Sequence, residues 1–235
     1  MTHQDKEPDA GTPIARRVML ATLGIGVASF AAAPFLQRAW ENTLATVSQH
    51  DPTGLSSLLP NPNGFQYYNV AGSVPHKDAA NYQLTVNGLV EHPRTYTLDE
   101  LSALPQTRVV HDVACTNGWE VPNTPFEGPR LSAILDAAGV RPEGKAVRFT
   151  CFDGVYSESL TLAQAHLPDV LVALKMQDIP VTYEHGGPVR LYVAPMYFYK
   201  SAKWLSGITV TDEVIPGYWE EYGYAVDGWL PAADD

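Results

Sequence analysis

Cysteine is scarce in this chain: of 235 residues only Cys115 and Cys151 carry a thiol. That count excludes an iron–sulfur cluster held by the usual four thiolates, and the cysteine-rich zinc modules. No CxxCH run occurs, so the usual covalent attachment of a c-type haem is absent from this chain. Basic clusters interleaved with aromatics are missing too. With a formal net charge of -11 the chain lacks the electrostatic footprint of a nucleic-acid binder. No internal repeat is visible, and strands do not alternate regularly with helices, which argues against a doubly wound sheet.

What is present describes a loop-rich globular protein with one sizeable core: 45% hydrophobic residues, 19 Pro and 18 Gly. A polar leader ends in Arg16 and Arg17 and is followed by the uncharged run Val18–Leu36. Residues 1–36 read either as a twin-arginine export signal or as a membrane anchor, since 19 residues are just enough to span a bilayer. Pro34 directly follows the small-residue run that would form a cleavage site, which favours retention of the segment. Residues 37–63 read as a short helix and a linker broken by Asp51-Pro52-Thr53-Gly54 and Pro60-Asn61-Pro62-Asn63. A single domain then covers 64–235.

Within that domain the pattern predicts an α+β fold, strand-rich mixed sheets with short helices. YQLTVNGLV from Tyr82 alternates as a strand does, with Asn87-Gly88 as a turn. TLDELSAL carries Thr97 as N-cap and Glu100 three residues on, a capping box. RVVHDVAC reads as a strand ending at Cys115, LSAILDAAGV as a helix closed by Gly139, KAVRFTCFD as a strand and LTLAQAHL as a short helix. VRLYVAP and GITVTDE complete the set as strands.

Two constellations carry chemistry. Cys115 lies in VACTNGWEVP, and by itself it has three readings: a small buried core residue, half of a disulfide with Cys151, or a ligand. One thiolate holds a metal only when a cofactor brings the other soft donors. About seventy residues later, EHGGPVRLYVAPMYFYKSAKW groups Arg190, Lys200, Ser201 and Lys203 around Gly186-Gly187, the composition of a phosphate grip.

These residues resemble the sulfite oxidase superfamily, in particular its bacterial, haem-free members, which include the periplasmic methionine sulfoxide reductase catalytic subunit. The resemblance runs over roughly 160 residues in order: FQYYNV at Phe65, YQLTVNGLVEHPRTYTLDEL, CTNGW, PFEGPRLSAILDAAGV, DGVYSESL, HGGPVR, KSAKW, and PGYWEEYGY ending at Tyr224. It implies a sulfite-oxidase-like molybdopterin-binding fold and a molybdopterin cofactor whose dithiolene supplies two sulfurs. Cys115 would then be the metal ligand and Cys151 a core residue. Arg190, Lys200, Ser201 and Lys203 match the cofactor-holding positions, with Gln66 and Tyr67 reaching it from the N-terminal side; His185 either touches the pterin or caps its turn. Trp119, Tyr197 and Tyr199 are expected in the substrate pocket as catalytic-site walls. His111 and Asp112 either relay protons or form a hydrogen-bonded pair at a strand end.

The chain departs from the family at two places. Ala114 stands where many relatives have a histidine, and TNGWEVPN lacks the arginine that sulfite-oxidising relatives place after the cysteine, so sulfite is not the favoured substrate. The resemblance implies oxygen-atom transfer by a periplasmic molybdenum oxidoreductase acting on a small molecule, an S-oxide, an N-oxide or a small anion. With no haem here, electrons would pass through a separate partner, a membrane haem protein or c-type cytochrome. After Lys203 no Lys or Arg follows while seven acidic residues do, which suits either a solvated surface or a docking patch for a basic redox protein. The competing class is a membrane-tethered binding or assembly protein that keeps the fold without turnover. The thiol beside a cation cluster favours the enzyme.

Overall fold

A computed structural model describes Phe65 and residues 69–231. The expected signal or anchor and the linker, residues 1–63, lie outside the described residues, as do Gln66 and Tyr67.

In chain order the strands are β1 (Gln83–Gly88), β2 (Arg94–Thr97), β3 (Gln106–Ala114), β4 (Glu120–Pro129), β5 (Ala146–Cys151), β6 (Ser157–Thr161), β7 (Val170–Ala173), β8 (Lys175–Met176), β9 (Ile179–Pro180), β10 (Arg190–Val193) and β11 (Leu205–Thr211). The helices are short: α1 (Leu98–Ala103), α2 (Leu131–Ala138), α3 (Leu162–Ala165) and α4 (Tyr218–Glu221). Among the described residues three sheets form, ordered β2-β1-β11-β5-β6, β3-β4-β8-β9 and β10-β7. The β1–β11 pair is parallel and its neighbours are antiparallel, which makes the first sheet mixed. The α+β expectation matches this arrangement.

Local chemistry explains the short helices. In α1 the Thr97 side chain accepts from Glu100 N while the Glu100 carboxylate accepts from Thr97 N, the reciprocal cap expected from sequence. The same device, Thr161 with Gln164, starts α3. Gly139 ends α2 in the left-handed region at φ 67°, where a side chain would be strained.

Asn87-Gly88 is not a turn. Both residues continue β1 and pair with Thr209 and Val210 of β11. A Cβ on Gly88 would stand 2.2 Å from the Val210 carbonyl, so the glycine admits a neighbouring strand instead of reversing the chain. The strand alternation was legible, whereas a partner more than a hundred residues away was not.

The larger core packs the first sheet through Leu84, Val86, Phe149, Ile208 and Val210 against Leu131, Ile134 and Leu135 of α2. Each of the large aliphatic side chains there contributes about 1.5–3 kcal/mol relative to exposure. A second cluster gathers Val113, Val121, Phe126, Leu171 and Tyr192 under the β3–β4 hairpin, with Phe126 and Tyr192 stacked at 3.7 Å. Strands β7 and β10 are buried along their full length. Arg190 therefore begins a strand inside the protein, at the base of the cavity described next.

Candidate active site

Cys115 sits just past the end of β3. Its N–H donates to the Trp119 carbonyl at 3.0 Å, and its own carbonyl accepts from Gly118 N at 3.0 Å, closing a tight turn into β4. Gly118 takes φ +90°, a conformation that suits glycine. The turn leaves the thiol half-buried and unbonded to sulfur; Cys151 is a separate buried free thiol in the larger core. The disulfide reading is thereby removed.

Cys115 opens on a cavity with about 930 Å³ of empty space, part of it continuous with solvent. Trp119, Asp153, His185, Arg190 and Lys203 line it as well, and Trp219 and Tyr224 from the C-terminal segment form another part of its wall.

The cationic side of the cavity is built with care. Arg190 is 1% exposed, and its Nη1 and Nη2 donate to the carbonyls of His185 and Ser201, each at 2.7 Å. The guanidinium lies over the Phe198 ring at 4.2 Å. Among the described residues no carboxylate pairs with Arg190. Burial pulls its pKa down to about 9, so it remains a cation at neutral pH. Burial, and then the charge of Arg190, pull the Lys203 ammonium down to about 7. His185 is driven well below its usual range by burial first and then by Arg190 and Lys203, which leaves a neutral imidazole. Three basic groups that disfavour one another's charge are the arrangement a polyanion would relieve.

Gly186-Gly187 serve this cluster in a way that composition did not reveal. A Cβ on Gly186, at φ +100°, would lie 2.6 Å from the Lys203 Cβ, and one on Gly187 would lie 2.0 Å from the Val181 carbonyl. Gly186 lets the loop pack onto the Lys203 segment, and Gly187 lets it close on the backbone at Val181 and Thr182. Trp204 is held in the left-handed region at φ 55°, unusual for a bulky residue. Its N–H donates to Gly186 O at 3.0 Å and its indole Nε1 to Tyr183 O at 2.8 Å.

Several expected residues do converge: Cys115, Trp119, His185, Arg190, Ser201, Lys203 and Tyr199 line the cavity. The Ser201 hydroxyl accepts from Val193 N at 2.9 Å, and the Tyr199 hydroxyl donates to Ala225 O at 2.5 Å. Lys200 does not reach it. Its ammonium is 1% exposed and held by the carboxylates of Glu158 and Glu220, which takes it out of the phosphate grip. Tyr197 is also elsewhere, with its backbone N–H on Gly228 O at 2.8 Å. His111 is exposed, 3.8 Å from Asp169, and Asp112 accepts from Asn123 N at 2.7 Å, so both lie at the hairpin and neither lines the cavity.

Asp153 was missed as a site residue because the Asp-Gly pair looks like an ordinary turn. Its Oδ1 does make that turn, accepting from Val155 N and Tyr156 N at 3.1 and 3.0 Å. Its Oδ2 is buried with no hydrogen-bond partner, as is the indole Nε1 of Trp119. Among the described residues no group of three His, Cys, Asp or Glu side chains forms a metal site, and no helix is long and apolar enough to cross a membrane.

Comparison with known proteins places the chain in a family. Residues 71–219 match the oxidoreductase molybdopterin binding domain family. The uncharacterized oxidoreductase YuiH of Bacillus subtilis is 35% identical over 183 residues, 77% of this chain and 91% of that protein. A putative protein-methionine-sulfoxide reductase subunit of Azospira oryzae is 32% identical, covering 75% of this chain and 67% of that one. Among solved structures, the sulfane dehydrogenase SoxCD of Paracoccus pantotrophus aligns with a TM-score of 0.58 at 22% identity. The alignment covers 67% of this chain and half of that one, a likeness of fold.

Proposed function

The chain belongs to the oxidoreductase molybdopterin binding domain family, within the sulfite oxidase superfamily, and from that premise we propose that it reduces S-oxides or N-oxides of small molecules on the periplasmic side of the membrane. It is a molybdenum-cofactor enzyme. The residues at the cavity fit that cofactor: one half-buried thiol as a soft donor, a buried arginine without a carboxylate partner, and a carboxylate oxygen left without a donor. The observation that carries the reading is that Cys115 and the Arg190–Lys203 pair line one cavity.

When bound, the cofactor supplies exchange of an oxygen atom for two electrons. Cys115 would ligate its metal through sulfur, and electron donation from that sulfur would tune the potential. Arg190 and Lys203, with the Ser201 hydroxyl, would hold its phosphate, and the neutral His185 and the Asp153 carboxylate would offer it further polar contacts. Trp119 and Tyr199 wall the space left for substrate and exclude water from it.

Reduction is preferred over oxidation of a small anion because Thr116, Asn117 and Gly118, which follow the thiol, bring no cation to it. The protein-methionine-sulfoxide reductase names borne by relatives point the same way. Electrons arrive from a separate partner, a membrane haem protein or c-type cytochrome. The direct test is purified, cofactor-loaded protein reduced with viologen dye and challenged with sulfoxides, N-oxides, nitrate and chlorate. Reoxidation by sulfoxides or N-oxides supports the reading; turnover only with sulfite and a dye acceptor would reverse it.

A further inference from the structure

Lys200 stands three residues from Lys203 yet serves a different part of the molecule. Its ammonium has three protons and four acceptors around it: the Glu158 carboxylate, Ser159 O at 2.9 Å, the Glu220 carboxylate at 2.7 Å and Val226 O at 2.9 Å. Two of these belong to β6. The other two belong to the segment that carries α4 and continues past Trp229.

The far half of that segment has ties of its own, the Tyr199 hydroxyl on Ala225 O at 2.5 Å, Tyr197 N on Gly228 O at 2.8 Å and Leu230 N on Pro195 O at 3.1 Å, and Glu220 adds a buried ionic tie at α4. Helix α4 spans four residues, far below the length at which a helix stands alone. Tyr222 and Trp229 are 68% and 46% exposed. Its inner face, however, supplies Trp219 and Tyr224 to the cavity, their rings 5.1 Å apart. Both ends are drawn tightly onto the Lys200 cluster. A Cβ on Gly217 would lie 2.6 Å from the Glu220 carboxylate, and one on Gly228 would lie 2.8 Å from Lys200 Cγ.

We propose that the buried Glu158–Lys200–Glu220 cluster anchors residues 217–229 as one wall of the cavity, so that Lys200 is a positioning residue for substrate and takes no part in holding the cofactor. Burial, together with the adjoining Glu220 carboxyl, holds Glu158 well above the usual carboxylate range against the pull of Lys200. The inference rests on the proposal that this cavity admits substrate.

Glu220→Ala is the informative variant, because it removes the ionic tie to α4 while leaving Lys200 paired with Glu158 and with the Val226 carbonyl; Glu220→Gln keeps the acceptor and serves as the rescue. With cofactor-loaded protein, reduced viologen and dimethyl sulfoxide as probe, the alanine variant should show KM raised about tenfold or more, kcat within about threefold and molybdenum per chain unchanged. The glutamine variant should stay within about twofold of the parent in KM. Loss of molybdenum from the alanine variant, or an unchanged KM, would overturn the proposal.

If the parent protein turned over no S-oxide, the anchor would still be measurable. The segment has no site for trypsin but offers Tyr222, Tyr224 and Trp229 to chymotrypsin. Cleavage there should be about tenfold faster in Glu220→Ala than in Glu220→Gln. Equal rates would sink the anchor independently of any activity.

Discussion

The N–H of Cys115 is hydrogen-bonded to the carbonyl of Trp119 at 3.0 Å, so the thiol and the indole are set on one turn by main-chain atoms alone. The side chain at 115 can therefore change without disturbing the turn that presents it.

Cys115→Ser should fold as the parent does, with unfolding free energy within about 0.5 kcal/mol, because a half-buried oxygen replaces a half-buried sulfur. Turnover should fall to background. Thermal melting alongside the viologen assay checks both; full activity in the variant would dismiss the thiolate as ligand.

Arg190→Lys should lose the cofactor although it keeps the charge. A single ammonium cannot reproduce the fork that spans His185 O and Ser201 O at 2.7 Å each while still facing the cavity. Molybdenum and pterin per chain, measured after purification, should drop about tenfold or more.

Lys203 gives a pH dependence whose sign is determined. Its folded pKa is depressed to about 7 from 10.5, so between those values the unfolded chain binds more protons than the folded one. The contribution of this group to stability of cofactor-free protein therefore rises as pH increases from 7 towards 10.5. Phosphate-bearing ligands favour the charged form, and their affinity should decline over the same interval. Melting curves with and without pyrophosphate at a series of pH values test this, and Lys203→Met should remove both trends.

Asp153→Asn preserves the acceptor that makes the turn at Val155 and Tyr156 but replaces the unpartnered oxygen by an amide donor. Melting of the cofactor-free protein should be nearly unchanged, while cofactor retention should fall several-fold. Retention equal to the parent would remove Asp153 from the site.

Gly186→Ala should harm the site through packing. The added methyl would meet the Lys203 backbone and side chain at 2.6–2.7 Å in a left-handed conformation. A loss of about 1–3 kcal/mol is expected, with reduced cofactor content, and urea unfolding measures it.

Much of the fold was legible because its signals are local. The Thr97–Glu100 cap and the closing Gly139 are written within four residues or fewer, and each forms as read; the Thr161–Gln164 cap is equally local but went unread inside the helix expected over LTLAQAHL. Strand β2, with one buried residue in four, carries too weak an alternation to announce itself, and Asn87-Gly88 spelled a turn that the approach of β11 overruled. Asp153 hid behind a turn signal that was correct but incomplete.

By itself the amino-acid order determined which chemistry was available: a thiol at a strand end, a tight turn after it, and basic residues grouped near a glycine pair. Tertiary structure decided which of those bases meets the thiol. Lys200 and Lys203 are indistinguishable as local sequence, yet one is enclosed by Glu158 and Glu220 and the other faces the cavity. The direction of a side chain out of a turn depends on backbone angles such as the positive φ of Trp204 and on carboxylates delivered from distant segments, and neither is encoded within the motif that names the lysines.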